Sequence, residues 1–286
     1  MTGYARGLLL TLLGVVTLSP DGLLIRSITA DVWTLVFWRG LFMALGLAVW
    51  LAWRYGAGAL AMLRRIGPLG LATAALFAAS TLLFVNAIRL TAVANTLVIL
   101  AAAPLLAAFL SSRLLGERVA PRTWAAAAAV SAGLALIFSA SLRQGAPLGD
   151  LCAAGSAVCI ACYLTALRAA READMTPAAA LGGLFAALAA APFAAPLAVG
   201  PGDFALLAIL GIGVMGLSFA LITAGTRYLP APEVGLVMLL EAALGPFWVW
   251  LAFGEVPPSA TVLGGALILG ALLLHSALAL RQPRPA

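Results

Sequence analysis

The chain has 286 residues, of which 64% are hydrophobic and only 9% charged, and its formal net charge is +6. A soluble domain carries roughly a quarter charged residues, so this composition excludes a soluble globule and describes an integral membrane protein. The excess of arginine needs no nucleic acid, because arginines at the edge of a bilayer rich in anionic lipid account for it.

Apolar runs of about 20 residues predict ten spans. They lie at 7–25, 32–53, 67–88, 92–112, 122–141, 149–167, 176–197, 203–225, 232–253 and 258–280. Backbone amides cannot stay unpaired in lipid, so each run is expected to be a helix. The first follows Arg6 in the manner of a secretory signal, but is read as retained. It contains Leu18-Ser19-Pro20-Asp21-Gly22, where a proline without an N–H predicts a broken helix with exposed backbone groups. Asp21 either serves such a midplane site or pairs with Arg26 near the surface. Arg39, two turns into the second span, either snorkels outward beside Trp33 and Trp38 or lines a cavity.

The third span places Phe77 and Thr81 one turn apart, and the fourth opens with Asn95-Thr96 and carries Pro104. In the sixth, Cys152, Cys159 and Cys162 are read as small packing residues, and Tyr163 as a candidate ligand contact. Gly211-Ile212-Gly213-Val214-Met215-Gly216 in the eighth fits the dinucleotide pattern, but inside an apolar span it reads as close helix packing. Ser218 follows it. The ninth span holds Glu241 in mid-membrane, then Pro246 and Trp248. A carboxyl at that depth is protonated, paired or exposed to water, which makes it a functional-site candidate. His275 in the last span has no catalytic companions, so an enzyme is not expected and neither a metal nor a cofactor is implied.

The second half repeats the first. Arg89–Gly133 aligns on Arg227–Ala271 without a gap, setting Asn95 on Glu233 and Gly116-Glu117 on Gly254-Glu255. Gly40–Leu45 resembles Gly183–Leu188; Gly7 meets Gly149, and Arg26 meets Arg168. The units are 1–143 and 144–286. Five spans per unit require the two halves to lie inverted in the membrane, the architecture of many secondary transporters. Most arginines fall on one side if both termini are cytoplasmic; only Arg26, Arg89 and Arg143 fall on the other.

Ten spans, a duplicated five-span unit, Arg39 in the second span and Gly-Glu after the fourth and ninth spans resemble the EamA branch of the drug/metabolite transporter superfamily. Leu18-Ser19-Pro20-Asp21 stands where that family commonly has Trp-Gly-Ser-Asn, and Glu241-Ala242 where it has Glu-Pro. The resemblance implies a bacterial inner-membrane exporter, similar to amino-acid exporters and especially those for aromatic amino acids. It also implies a central cavity built from the first, third, fourth, sixth, eighth and ninth spans. A multidrug or cationic-metabolite exporter is the alternative. The expected substrate contacts are Glu241, Tyr163, Trp248, Phe77, Thr81, Ser218, Asp21 and Asn95, with Pro20, Pro104 and Pro246 as hinges. The expected partners are a small-molecule substrate and the lipid bilayer.

Overall fold

A computed structural model of the protein describes residues 3–56, 58, 62, 66–116, 121–144, 147–169, 176–225, 228–229 and 231–280. The first span is two helices, α1 (Gly3–Leu18) and α2 (Asp21–Ser27), parted by Ser19-Pro20. Pro20 has no N–H for the Val16 carbonyl, and the Ser19 hydroxyl donates to that oxygen instead, at 2.8 Å. The predicted break is therefore present, and its freed acceptor is satisfied.

Helix α3 (Val32–Tyr55) starts at Asp31, whose carboxylate accepts from the backbone N–H of Trp33 and Thr34 at 2.9 and 3.0 Å. Partial burial raises the Asp31 carboxyl, but the hydrogen bonds from Thr34 and Trp33 outweigh it and hold the group below its ordinary range. There follow α4 (Gly67–Leu90), α5 (Val93–Leu100), α6 (Ala103–Leu115), α7 (Pro121–Gln144), α8 (Pro147–Ala169) and α9 (Thr176–Ala190). Next, α10 (Pro201–Ala208) runs through a π-helical stretch, Ile209–Leu217, into α11 (Ser218–Gly225). The chain ends with α12 (Ala231–Phe253) and α13 (Ser259–Leu280). Pro104 lies in the first turn of α6, after a break at Ala101-Ala102.

Pro246 departs from expectation: it interrupts nothing and stays inside the 23-residue α12. One missing N–H costs a long packed helix less than a second break would, so the span continues through it.

Among the described residues, seven helical stretches are long and apolar enough to cross a bilayer: Gly3–Ser27, Val32–Tyr55, Gly67–Leu90, Val93–Leu115, Thr123–Ala140, Pro147–Leu167 and Pro201–Gly225. Three shorter apolar helices accompany them, Thr176–Ala190, Val237–Phe253 and Ser259–His275.

Their packing follows the sequence repeat. Under the alignment above, α3 corresponds to α9 and α7 to α13, and each helix packs on its own counterpart. The contact of α4 with α8 has its mate in α1 with α11, and that of α4 with α9 has its mate in α3 with the π-helical stretch. Small residues sit at the crossings. A Cβ added to Gly183 would lie 2.8 Å from the Gly40 carbonyl oxygen, and one on Gly264 the same distance from that of Gly133. Gly7 abuts Tyr228 and Leu229, while its repeat mate Gly149 abuts the corresponding Leu90 and Thr91. Gly211 lies against Phe42 and the Arg39 carbonyl, so the glycine pattern of the eighth span serves helix approach.

Candidate functional site

Asp21 and Arg39 meet across the first helical hairpin. The Asp21 carboxylate accepts from Arg39 Nη2 through both oxygens, at 2.9 Å and 3.2 Å, and the two residues are 4% and 3% exposed. This corrects both surface alternatives: Asp21 does not pair with Arg26, and Arg39 does not snorkel. The reason is depth, since the break places Asp21 one residue into α2, level with a guanidinium two turns into α3. Arg39 Nη2 also lies 3.2 Å from Met215 Sδ in the π-helical stretch, and the Arg39 guanidinium sits 5.7 Å from the centre of the Phe84 ring. Among the described residues, buried Arg39 Nε has no hydrogen-bond partner.

Helix α12 turns one face toward the same break. Glu241, Gly245 and Trp248 recur at helical spacing along that face. The Trp248 indole N–H donates to Ser19 Oγ at 2.9 Å, and a side chain at Gly245 would run into Leu97 and approach the Ser19 carbonyl. Glu241 lies two turns earlier, where Asp21 and Arg39 act on it electrostatically. It is partly accessible, and among the described residues its carboxyl has no hydrogen-bond partner.

The aromatic wall is built from α4, α8 and α11. Phe77 is 5.6 Å from the Tyr163 ring and 5.6 Å from the Phe219 ring. Phe77, Thr81 and Phe84 share one face of α4, so the wall runs from Tyr163 to the ring beneath Arg39. All three α4 residues and Tyr163 are buried. Ser218 is buried too, but its hydroxyl donates back to the Met215 carbonyl at 3.1 Å.

Asn95 belongs to a different network. Its amide nitrogen donates to Asp150 at 3.2 Å and to Thr91 Oγ1 at 3.3 Å, and its oxygen accepts from Thr261. Asp150, fully buried, also accepts from Thr91 Oγ1 at 2.8 Å. These bonds tie α4, α5, α8 and α13 together. The second span thus brings a charged group to the constellation through Arg39, while Asn95 of the fourth is engaged elsewhere. Sequence reasoning passed over Asp150, although the repeat marked it: Gly149 matches Gly7, so Asp150 stands where the first half has Leu8.

One end of the bundle is laced across the two halves. Arg26 pairs with Glu255 at 3.3 Å and donates to the Thr91 carbonyl at 2.8 Å, and Glu255 also accepts from the Val93 N–H at 3.1 Å. Asp203 accepts from the N–H groups of Thr29 and Ala30 and from the Thr29 hydroxyl at 2.7–3.0 Å. Arg89 donates to the carbonyls of Ile28 and Ala30 at 2.8 and 3.0 Å.

Membrane-length helices in two matched halves, with a buried ion pair and an acid in mid-span, define a multi-pass membrane transporter. The chain belongs to the EamA-like transporter family, whose sequence pattern matches twice, over residues 5–139 and 147–277. A protein of known crystal structure shares the fold, with a TM-score of 0.70 at 22% identity, covering 98% of this chain and 100% of its own. No curated protein matches the chain.

Proposed function

We propose that this transporter is a ten-span exporter of small amine-bearing metabolites, amino acids among them, working by alternating access in a bacterial inner membrane. The observation that carries the substrate class is Glu241, a half-buried acid in mid-span on the face of α12 that packs at the Ser19-Pro20 break, beside the Asp21–Arg39 pair. Glu241 binds the ammonium group. Phe77, Tyr163 and Trp248 cover the apolar body, Thr81 and Ser218 border it, and Asp21 and Asn95 hold the surrounding framework.

Two inverted halves provide two equivalent shapes, and exchanging them opens the site to one side and then the other. Matched packing of the halves and the arginine bias both support this, with the termini cytoplasmic and the laced end outside. Pro20, Pro104 and Pro246 are the points at which spans flex, Pro246 from within a continuous helix. The test is uptake of labelled aromatic and aliphatic amino acids and amines into proteoliposomes. Saturable flux is expected, and its absence for every compound overturns the substrate class. A multidrug or cationic-metabolite exporter is the second reading, favoured by the two acids that face a single base. Resistance to lipophilic cations without any amino-acid flux selects it.

A further inference from the structure

Resting on that reading, we infer that among amine-bearing ligands the site prefers those with one net positive charge, amines without a free carboxylate, over amino acids, and that Asp21 sets this preference by withholding Arg39 from the ligand. Asp21 and Arg39 are both more than nine-tenths buried, and both carboxylate oxygens lie on the same guanidinium nitrogen at 2.9 and 3.2 Å, so their charges cancel. Glu241 has no such partner, although both groups act on it. Two acids and one base leave one negative charge, which mid-bilayer cannot hold bare. A ligand's ammonium supplies the missing positive charge.

A ligand carboxylate finds nothing comparable. The Trp248 N–H is committed to Ser19, the Ser218 hydroxyl to the Met215 carbonyl, and the Asn95 amide to Asp150 and Thr91. Arg39 Nε has no partner among the described residues, but it is buried in the guanidinium that Asp21 already neutralises. The faces of Phe77, Phe84, Tyr163 and Trp248 attract a cation and offer a carboxylate no donor. If Asp21 is neutral, Arg39 and Glu241 together match a zwitterion instead.

The experiment is isothermal titration of the purified full chain with 2-phenylethylamine, phenylalanine and 3-phenylpropionate, which share a ring and differ in charge. The amine should bind about tenfold or more tightly than phenylalanine, and the anion should not bind. Asp21→Asn should reverse the order of amine and amino acid. Glu241→Gln should abolish the amine's advantage, and this variant keeps the Asp21–Arg39 pair intact should Asp21→Asn not fold. Phenylalanine binding as well as the amine in the unaltered protein, or an unchanged order in folded Asp21→Asn, overturns the inference while leaving amine transport standing. If none of the three binds, the amine substrate class falls and this inference with it.

Discussion

At the scale of single residues, the ion pair shows what is readable from sequence and what is not. Hydropathy sets the depth of Asp21 and Arg39, and both stand out because ionisable groups are costly at that depth. Pairing depends on how each helix is rotated about its axis, and short Ala/Leu/Gly-rich spans with apolar residues on every face carry little rotational signal. Asp150 escaped for a related reason: as the fourth residue of its helix it resembles a helix-start acid, and only its hydrogen bonds to Thr91 and Asn95 reveal its burial. Removing one member of a buried pair strands the other's charge, at a cost of about 3–5 kcal/mol, whereas replacing both with apolar groups is often neutral. Asp21→Ala and Arg39→Ala should each lower the thermal midpoint of the purified protein sharply, and Asp21→Leu with Arg39→Met should restore most of it. A double variant as unstable as the worse single one would show that the pair does more than neutralise charge.

At the scale of elements, prolines and glycines were the legible marks, and they divide by mechanism. Pro20 breaks its span because Ser19 satisfies the carbonyl it frees, while Pro246 is absorbed by a long helix. The π-helical stretch at Ile209–Leu217 had no sequence signature beyond its glycines, one of which, Gly211, lies against Phe42 and the Arg39 carbonyl. Gly183 is where two helix backbones approach closely, so Gly183→Ala should force α3 and α9 apart at a cost of about 1–3 kcal/mol, as overpacking does. Gly270, with nothing within 4 Å of an added Cβ, should accept alanine without loss. Equal thermal midpoints for the two variants would contradict this account of the α3–α9 crossing.

At the scale of the whole molecule, the repeat was the most legible feature. It appeared in sequence as matched blocks, and it returns in the packing as mated helix pairs and as two copies of one family pattern. Where the halves differ, at Asp21, Asp150 and Glu241, the polar chemistry is concentrated. Lacing at the Arg26 end joins the halves, so loosening it should favour the conformation open on that side. In a background lacking Cys152, Cys159 and Cys162, a cysteine at Ser19 should react faster with an external impermeant thiol reagent once Glu255→Gln and Asp203→Asn are introduced together. No change in reactivity would mean that this end does not gate. A solvent-accessible ion pair such as Arg26–Glu255 is worth only about 1 kcal/mol or less, which is why the Asp203 contacts are removed with it.

The most direct test of the central claim, that a mid-membrane acid in this constellation binds the transported amine, is the initial rate of labelled 2-phenylethylamine and phenylalanine exchange in proteoliposomes carrying either the unaltered protein or Glu241→Gln. Saturable exchange in the former, falling about tenfold or more in the latter while protein incorporation and thermal midpoint hold, is the expected result. Saturable exchange of undiminished rate in Glu241→Gln would contradict it.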